Sequence, residues 1–184
     1  MFKNADLLFL QSVPDDFSEA IVESTTTSKA SVYDHVALIE VTATNEIFVL
    51  HTLPDTGSIR ESYAHFKTRD WAQIDLYRST KEIDSSLIIN QANQLLDQTY
   101  NSSYIPGAPG YYCADFVFEA FKHTQIFRLV PMNFMDPTHT DILPFWKSYY
   151  SKLGYPVPNG ELGLNPNDMV LQNTVRKIKS LNLK

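Results

Sequence analysis

The sequence predicts an α+β protein with an antiparallel sheet, or a small barrel, packed against helices. Two runs rich in β-branched residues, Val36 to Val41 and Ile47 to His51, are joined by only Thr42-Ala43-Thr44-Asn45. Such spacing is that of an antiparallel hairpin. Ile83, Leu87, Ile88, Ala92, Leu95 and Leu96 recur at helical spacing, and so do Cys113, Phe116, Val117, Ala120 and Phe121. Two amphipathic helices therefore follow the strands.

The remaining elements follow in chain order. Leu7 to Leu10 reads as a buried strand, Ser24-Thr25-Thr26-Thr27-Ser28 as a loop, and the alternating Ile74 to Arg78 as a further strand. Tyr100 to Tyr112 is a loop that turns into a helix at Cys113. Gly154 to Asn167, rich in Gly and Asn, reads as a long surface loop: a cover for a site, or an ordinary connection. No internal repeat or low-complexity linker appears, so residues 1–184 are expected to form one domain.

Composition excludes several classes. With 43% hydrophobic and 12% aromatic residues among 184, the chain can fill a core and is not disordered. The formal charge is -6, from 15 Lys and Arg against 21 Asp and Glu, and the basic residues cluster only at Arg176-Lys177-Ile178-Lys179. Nucleic acid is not an expected partner. A lone cysteine forms no internal disulfide, which is compatible with a reducing compartment. The chain as written shows no signal peptide and no transmembrane run, so a cytoplasmic location is expected.

Motifs for phosphate loops, dinucleotide folds, zincins, serine elbows and cysteine-based zinc sites are absent. No cofactor and no metal is expected. His139, between Asp136 and Asp141, reads as part of a solvated turn, and His65 and His123 as exposed. Cys113 stands at the start of a helix, where unpaired N–H groups stabilise a thiolate and lower its pKa. On an apolar helix stripe a lone cysteine is also a plain core residue, so both readings stand. His35 opens the first strand of the hairpin and His51 closes the second. An odd loop, for example Val41 to Asn45, sets them opposite each other on one face, about 5 Å apart. A cysteine nucleophile needs a base within reach and a third polar group to orient that base. Cys113, His35 and His51 suit those roles if the Cys113 helix packs against the histidine face. The alternative is two partly buried histidines with structural duties.

Four segments resemble the circularly permuted NlpC/P60 cysteine hydrolases of the YiiX/YebB-like group, papain-fold proteins in which the histidine strands precede the cysteine helix. Ala5-Asp6-Leu7-Leu8-Phe9-Leu10-Gln11 is similar to the opening G-D-[LI]-[IL]-F-x-Q strand, and Asp34-His35-Val36-Ala37-Leu38-Ile39 to S-H-V-G-[IL]-V. Val49-Leu50-His51-Thr52 is similar to the strand end that supplies the third polar residue, and Tyr111-Tyr112-Cys113-Ala114-Asp115-Phe116-Val117 to Y-x-C-S-E-L-V. The chain departs from the pattern at Ala5 for Gly, Asp34 for Ser, Ala114-Asp115 for Ser-Glu, and His51 where this group often has Glu.

The resemblance implies a permuted papain-like fold and a thiol hydrolase with Cys113 as nucleophile, His35 as base and His51 as orienting group. It implies a small peptide or amide substrate, such as a bacterial cell-wall-derived peptide, or a lipid-type acyl ester or amide, cleaved through an acyl-enzyme. The backbone N–H of Cys113, with Tyr112 or Tyr111, would serve the oxyanion. The sequence leaves open the substrate and the oligomeric state. Two other classes remain: a binding module of the same fold with an inert Cys113, and a carboxylate-pair glycosidase drawing on Glu40, Glu46, Glu61 and Glu161.

Overall fold

The computed structural model describes residues 1–25, 32–105, 107–136 and 138–182. The chain runs through β1 (Leu7–Ser12), α1 (Asp16–Thr25), β2 (His35–Val41), β3 (Ile47–Leu53), β4 (Gly57–Ser62) and the single turn α2 (Tyr63–Phe66). It continues through β5 (Trp71–Ser79), α3 (Ser85–Gln94), α4 (Cys113–Phe121), β6 (Val130–Pro131), α5 (Pro144–Leu153), β7 (Leu162–Gly163), α6 (Pro166–Leu171) and β8 (Val175–Ser180). Six strands form one antiparallel sheet in the order β4-β3-β2-β1-β5-β8, while β6 and β7 pair separately.

Period-two alternation divides the sheet between two apolar clusters. Leu7, Phe9, Val36, Leu38 and Leu50 point to the larger one, which Ala114, Phe116, Val117, Ala120 and Phe121 of α4 complete, along with Ile88 and Ala92 of α3. Leu8, Leu10, Ala37, Ile39, Val49, Ile74 and Leu76 point the other way, onto Phe66 with Trp71 and Tyr63. Burying each large side chain contributes about 1.5–3 kcal/mol. The residues of β1 and β2 are therefore held on both faces, which explains why they read as continuous apolar runs.

Two expected loops differ in the structure. Ser24 and Thr25 end α1, where their hydroxyls donate back to the carbonyls of Ala20 (2.8 Å) and Ile21 (2.6 Å). Thr26, Thr27 and Ser28 lie outside the described residues. The segment from Gly154 to Asn167 is not a plain surface loop. It contains β7 and enters α6 through an Asn165 cap, whose side chain accepts from the Asp168 N–H at 2.8 Å, followed by Pro166 in the first turn. Its residues Leu164 and Asn167 are fully buried, and Asn167 bonds both backbone groups of Tyr33 at 3.0 Å. The basic tail is a strand, β8, in which Lys177 neutralises the buried Asp75 at 2.7 Å.

The start of α4 is fixed by the loop before it. Tyr111 N–H donates to the Thr99 carbonyl (3.1 Å) and Asn101 N–H to the Tyr111 carbonyl (3.2 Å). Gly110 sits between these bonds at φ +82°, and a Cβ there would lie 2.0 Å from the Thr99 oxygen. Only glycine permits that approach.

Ala5, the residue where the related pattern has glycine, is also left-handed, at φ 63°, and is buried. An L-residue there costs about 1–2 kcal/mol. The buried methyl returns about 0.8 kcal/mol, and the stiffer unfolded chain about 0.4–1 kcal/mol. These terms nearly cancel. Ala5→Gly is accordingly expected to change unfolding free energy by less than about 0.5 kcal/mol, whereas Ala120→Gly in α4 should cost about 1 kcal/mol or more. Urea midpoints of the two variants check this.

Candidate active site

His35 is the first residue of β2 and Cys113 the first of α4, and both line one cavity of about 260 Å³. The hairpin register pairs Val41 with Ile47 and Leu38 with Leu50, leaving the odd, five-residue loop Thr42–Glu46. The same register carried on sets His51 across from Ala37. The two histidines thus share a face, as an odd loop requires, but they are diagonal neighbours rather than directly opposite. The imidazoles close the offset: His35 Nε2 lies 3.1 Å from His51 Nδ1, with ring centroids 5.3 Å apart.

The packing expected of α4 differs. The helix does not lie on the histidine face; its apolar residues join Val36, Leu38 and Leu50 on the opposite one. Thiol and imidazole line the same cavity at the end of the sheet, because His35 is the first residue of its strand and Cys113 the first of its helix. The Val36 N–H, next in the chain to His35, lies near enough to the sulfur to favour its thiolate.

Behind His35 the contacts continue. Its ring stacks on Trp71 at 5.4 Å and 17°, and His51 meets Phe66 edge-on at 5.2 Å. His51 Nε2 lies 2.8 Å from Glu61 Oε1 on β4, and the Glu61 carboxylate also accepts from Arg69 Nε (2.8 Å) and Nη2 (3.2 Å). His65 Nε2, on a largely exposed side chain, is 3.5 Å from Glu61 Oε2. Glu61 was legible in the sequence only as one carboxylate among several; its place follows from the pairing of Val49 with Glu61, which puts it on the face of His51. None of Glu40, Glu46, Glu61 and Glu161 lines the cavity.

Burial governs the electrostatics. It pushes the His35 imidazole well below its usual range, with His51 and Arg69 adding to the effect, and it lowers His51 despite the opposing pull of Glu61. Burial by itself would raise the Glu61 carboxyl, but the bonds from His51 and Arg69 outweigh it and hold the group at about 2. His51 is neutral near pH 7, so Arg69 supplies the standing positive charge. Burial pushes the Cys113 thiol up to about 12, with Asp34 adding to it, against the N–H groups of Val36 and Ala114. The lowered thiol pKa expected from the helix terminus is therefore not what the fold produces. Desolvation of the buried sulfur exceeds the partial charge of the helix end. The resting pair is neutral thiol and neutral imidazole.

Tyr112 caps the start of α4 and lines the cavity, its hydroxyl accepting from the Leu164 N–H at 3.4 Å. Tyr111 does not line the cavity; its ring packs edge-on against Phe116. Among the cavity residues that no sequence motif marks are Tyr100 and Tyr104, whose hydroxyls lie 3.1 Å apart. One bond between two phenols uses one proton, and the other remains free to donate into the cavity. Thr52 Oγ1, also in the cavity wall, is fully buried without a partner among the described residues. Phe17, Ile21, Met132, Phe134, Trp146 and Leu164 make much of the remaining wall.

A cysteine at a helix start facing a histidine strand that precedes it in the chain is the permuted papain-like arrangement, and the class is that of cysteine hydrolases. The chain belongs to the permuted papain-like amidase family YaeF/YiiX, C92, whose family model matches residues 2–179. Among solved structures it is similar to the metalloprotein YiiX from Escherichia coli O157:H7, at 14% identity and TM-score 0.76 over 97% of each chain. At that identity the likeness shows the fold. A search of curated proteins finds no match. The description "metalloprotein" is that relative's. Here, no group of three or more His, Cys, Asp or Glu suited to a metal occurs among the described residues. His35 Nε2 faces His51 Nδ1, and His51 Nε2 faces Glu61.

Two measurements test these electrostatics. Alkylation of Cys113 by iodoacetamide should be slow at pH 7 and rise about tenfold per pH unit to pH 10 without an inflection near 8.5, since thiolate forms only as pH approaches the raised pKa. His35 titrates below its unfolded value, so its contribution to stability is present above about pH 6.5 and lost as pH falls below it. The carboxyls of Asp115 and Asp168, pushed up by burial to about 7 and about 6, act in the opposite sense. The difference between variants isolates the histidine: from pH 7.5 to 5, wild type should lose about 2 kcal/mol more than His35→Gln in urea unfolding.

Proposed function

We propose that Cys113, His35 and His51 carry the amidase chemistry, cleaving an amide or acyl-ester bond through an acyl-enzyme. The observation that supports this most is that the thiol and the imidazole open into one cavity while the far nitrogen of that imidazole is tied to His51. Because both groups rest neutral, His35 acts as a general base during attack. Its Nδ1 takes the thiol proton as sulfur bonds to the carbonyl carbon. The resulting imidazolium then protonates the leaving amine or alkoxide, and water cleaves the thioester with His35 again as base. Charge on the carbonyl oxygen would be met by the Cys113 N–H and by a phenol proton from Tyr112 or the Tyr100 and Tyr104 pair.

The cavity suggests the substrate. Its wall is mostly aromatic and aliphatic, which favours an apolar acyl group or apolar side chain beside the scissile bond. At about 260 Å³ it is slightly smaller than the roughly 300–1,000 Å³ of sites that engulf a whole drug-sized ligand, so only part of the substrate enters. A small peptide, amide or acyl ester meets that description.

The buried, raised thiol supports a second reading, a binding module with an inert cysteine. Turnover separates the two. With a panel of short-chain acyl amides and p-nitrophenyl acyl esters, wild type should leave an acyl mass on Cys113 and turn over. Cys113→Ala should abolish both, and His35→Ala should slow turnover by about 10² to 10⁴. Equal turnover by wild type and Cys113→Ala would remove the cysteine from the chemistry.

A further inference from the structure

We propose that Glu61, anchored by Arg69, is a positioning residue that fixes the tautomers of His51 and His35 in series and so leaves His35 Nδ1 unprotonated on the cavity side. The inference rests on the reading of His35 as the base.

An ionised carboxylate only accepts hydrogen bonds. With Glu61 Oε1 2.8 Å from His51 Nε2, that nitrogen must carry the proton. His51 is buried and neutral, so its Nδ1 is a bare lone pair. His35 Nε2 is 3.1 Å from that lone pair and must in turn carry a proton, because two lone pairs at this distance repel. His35 is neutral as well, which leaves its Nδ1 as an acceptor. One carboxylate thus dictates two proton positions and, through them, the one nitrogen that can receive the thiol proton.

Without that anchor the series can run backwards. His51 would then donate from Nδ1 to His35 Nε2, and His35 would hold its proton on Nδ1, where it cannot act as base. Both directions give the same number of hydrogen bonds between the two rings. Only the group behind His51 distinguishes them. Arg69 keeps that group in place with two bonds, and the carboxyl at about 2 stays ionised throughout the range in which the histidines titrate. Stacking on Trp71 holds the plane of the His35 ring. His65, 3.5 Å from the second carboxylate oxygen, is the other titratable group facing Glu61.

Glu61→Ala tests the order of protons by removing the acceptor. Both directions of the series then give the same bond between the rings, so both tautomers of each histidine should be populated. Glu61→Gln is the conservative variant: the oxygen that faces His51 Nε2 also accepts from Arg69 Nε, so the Gln carbonyl can take that position and keep the wild-type order. Long-range imidazole 1H–15N spectra of the 15N-labelled full chain at pH 7.5 should show both protons on Nε2 in wild type and a share of each on Nδ1 in Glu61→Ala. Turnover of the p-nitrophenyl ester that wild type hydrolyses should fall about 10-fold or more in kcat with KM nearly unchanged in Glu61→Ala, and Glu61→Gln should recover most of it. A wild-type spectrum with His35 protonated on Nδ1 overturns the proposal without any variant, so a failure of Glu61→Ala to fold does not shield it. Unaltered tautomers and kcat in a folded Glu61→Ala also overturn it. If the tautomers shift as expected but Cys113→Ala retains turnover, the relay stands and the thiol mechanism fails.

Discussion

Side-chain alternation along β2 is the constraint on which the rest of the structure depends. Val36 and Leu38 must face the larger cluster for α4 to have a surface to pack on, and Ala37 and Ile39 must then face the smaller one. A slip of one residue would exchange every member of the two sets. The same rule delivers His35 to the face that carries His51 and Glu61, while α4 brings Cys113 to the rim from the other side. Chemistry and core are assigned by one register. The tie from the Asp34 carboxylate to the Ser12 N–H (2.9 Å) and hydroxyl (3.0 Å) pins the entry to β2 against the end of β1, where that register begins.

The site is drier than a helix-end cysteine by itself would suggest. Burial raises the thiol and lowers the imidazole, so both terms oppose a standing ion pair. In such surroundings charge separation is costly until a substrate carbonyl is present to receive the sulfur. Hydrogen bonds then matter more than net charge, because a buried neutral histidine acts according to where its single proton sits. The ionised pair of Glu61 and Arg69 stands at the outer end of the histidine row, where Arg69 is partly exposed and solvent offsets its desolvation.

Much of this was legible in the chain. Apolar runs with period two and helices with period 3.6 identified β1, the hairpin, β5, α3 and α4, since those patterns are imposed by burial and appear locally. Other elements carried weaker local signals. The first turn of α6 announces itself by Asn165-Pro166, but a short helix has too few apolar positions to show a period. The strand β8 reads as a basic tail, because five of its six residues are exposed along the sheet edge, where the backbone pairs with β5 and Lys177 reaches the buried Asp75. The hydroxyls that end α1 read as loop residues because serine and threonine satisfy backbone groups in either setting.

The sequence by itself determined that one cysteine begins a helix, that one histidine opens a strand and another closes the next, and that an odd loop would put those histidines on one face. These are properties of neighbours along the chain. The tertiary structure decided the rest: the diagonal offset of the two imidazoles, the side of the sheet from which α4 approaches, the recruitment of Glu61 and Arg69, and the neutral resting state of the thiol. Each depends on distances between residues far apart in sequence and on how much water their packing excludes. Desolvation is a sum over everything that surrounds a group, so the local field of a helix end could not reveal that the sulfur would be buried deeply enough to reverse its effect.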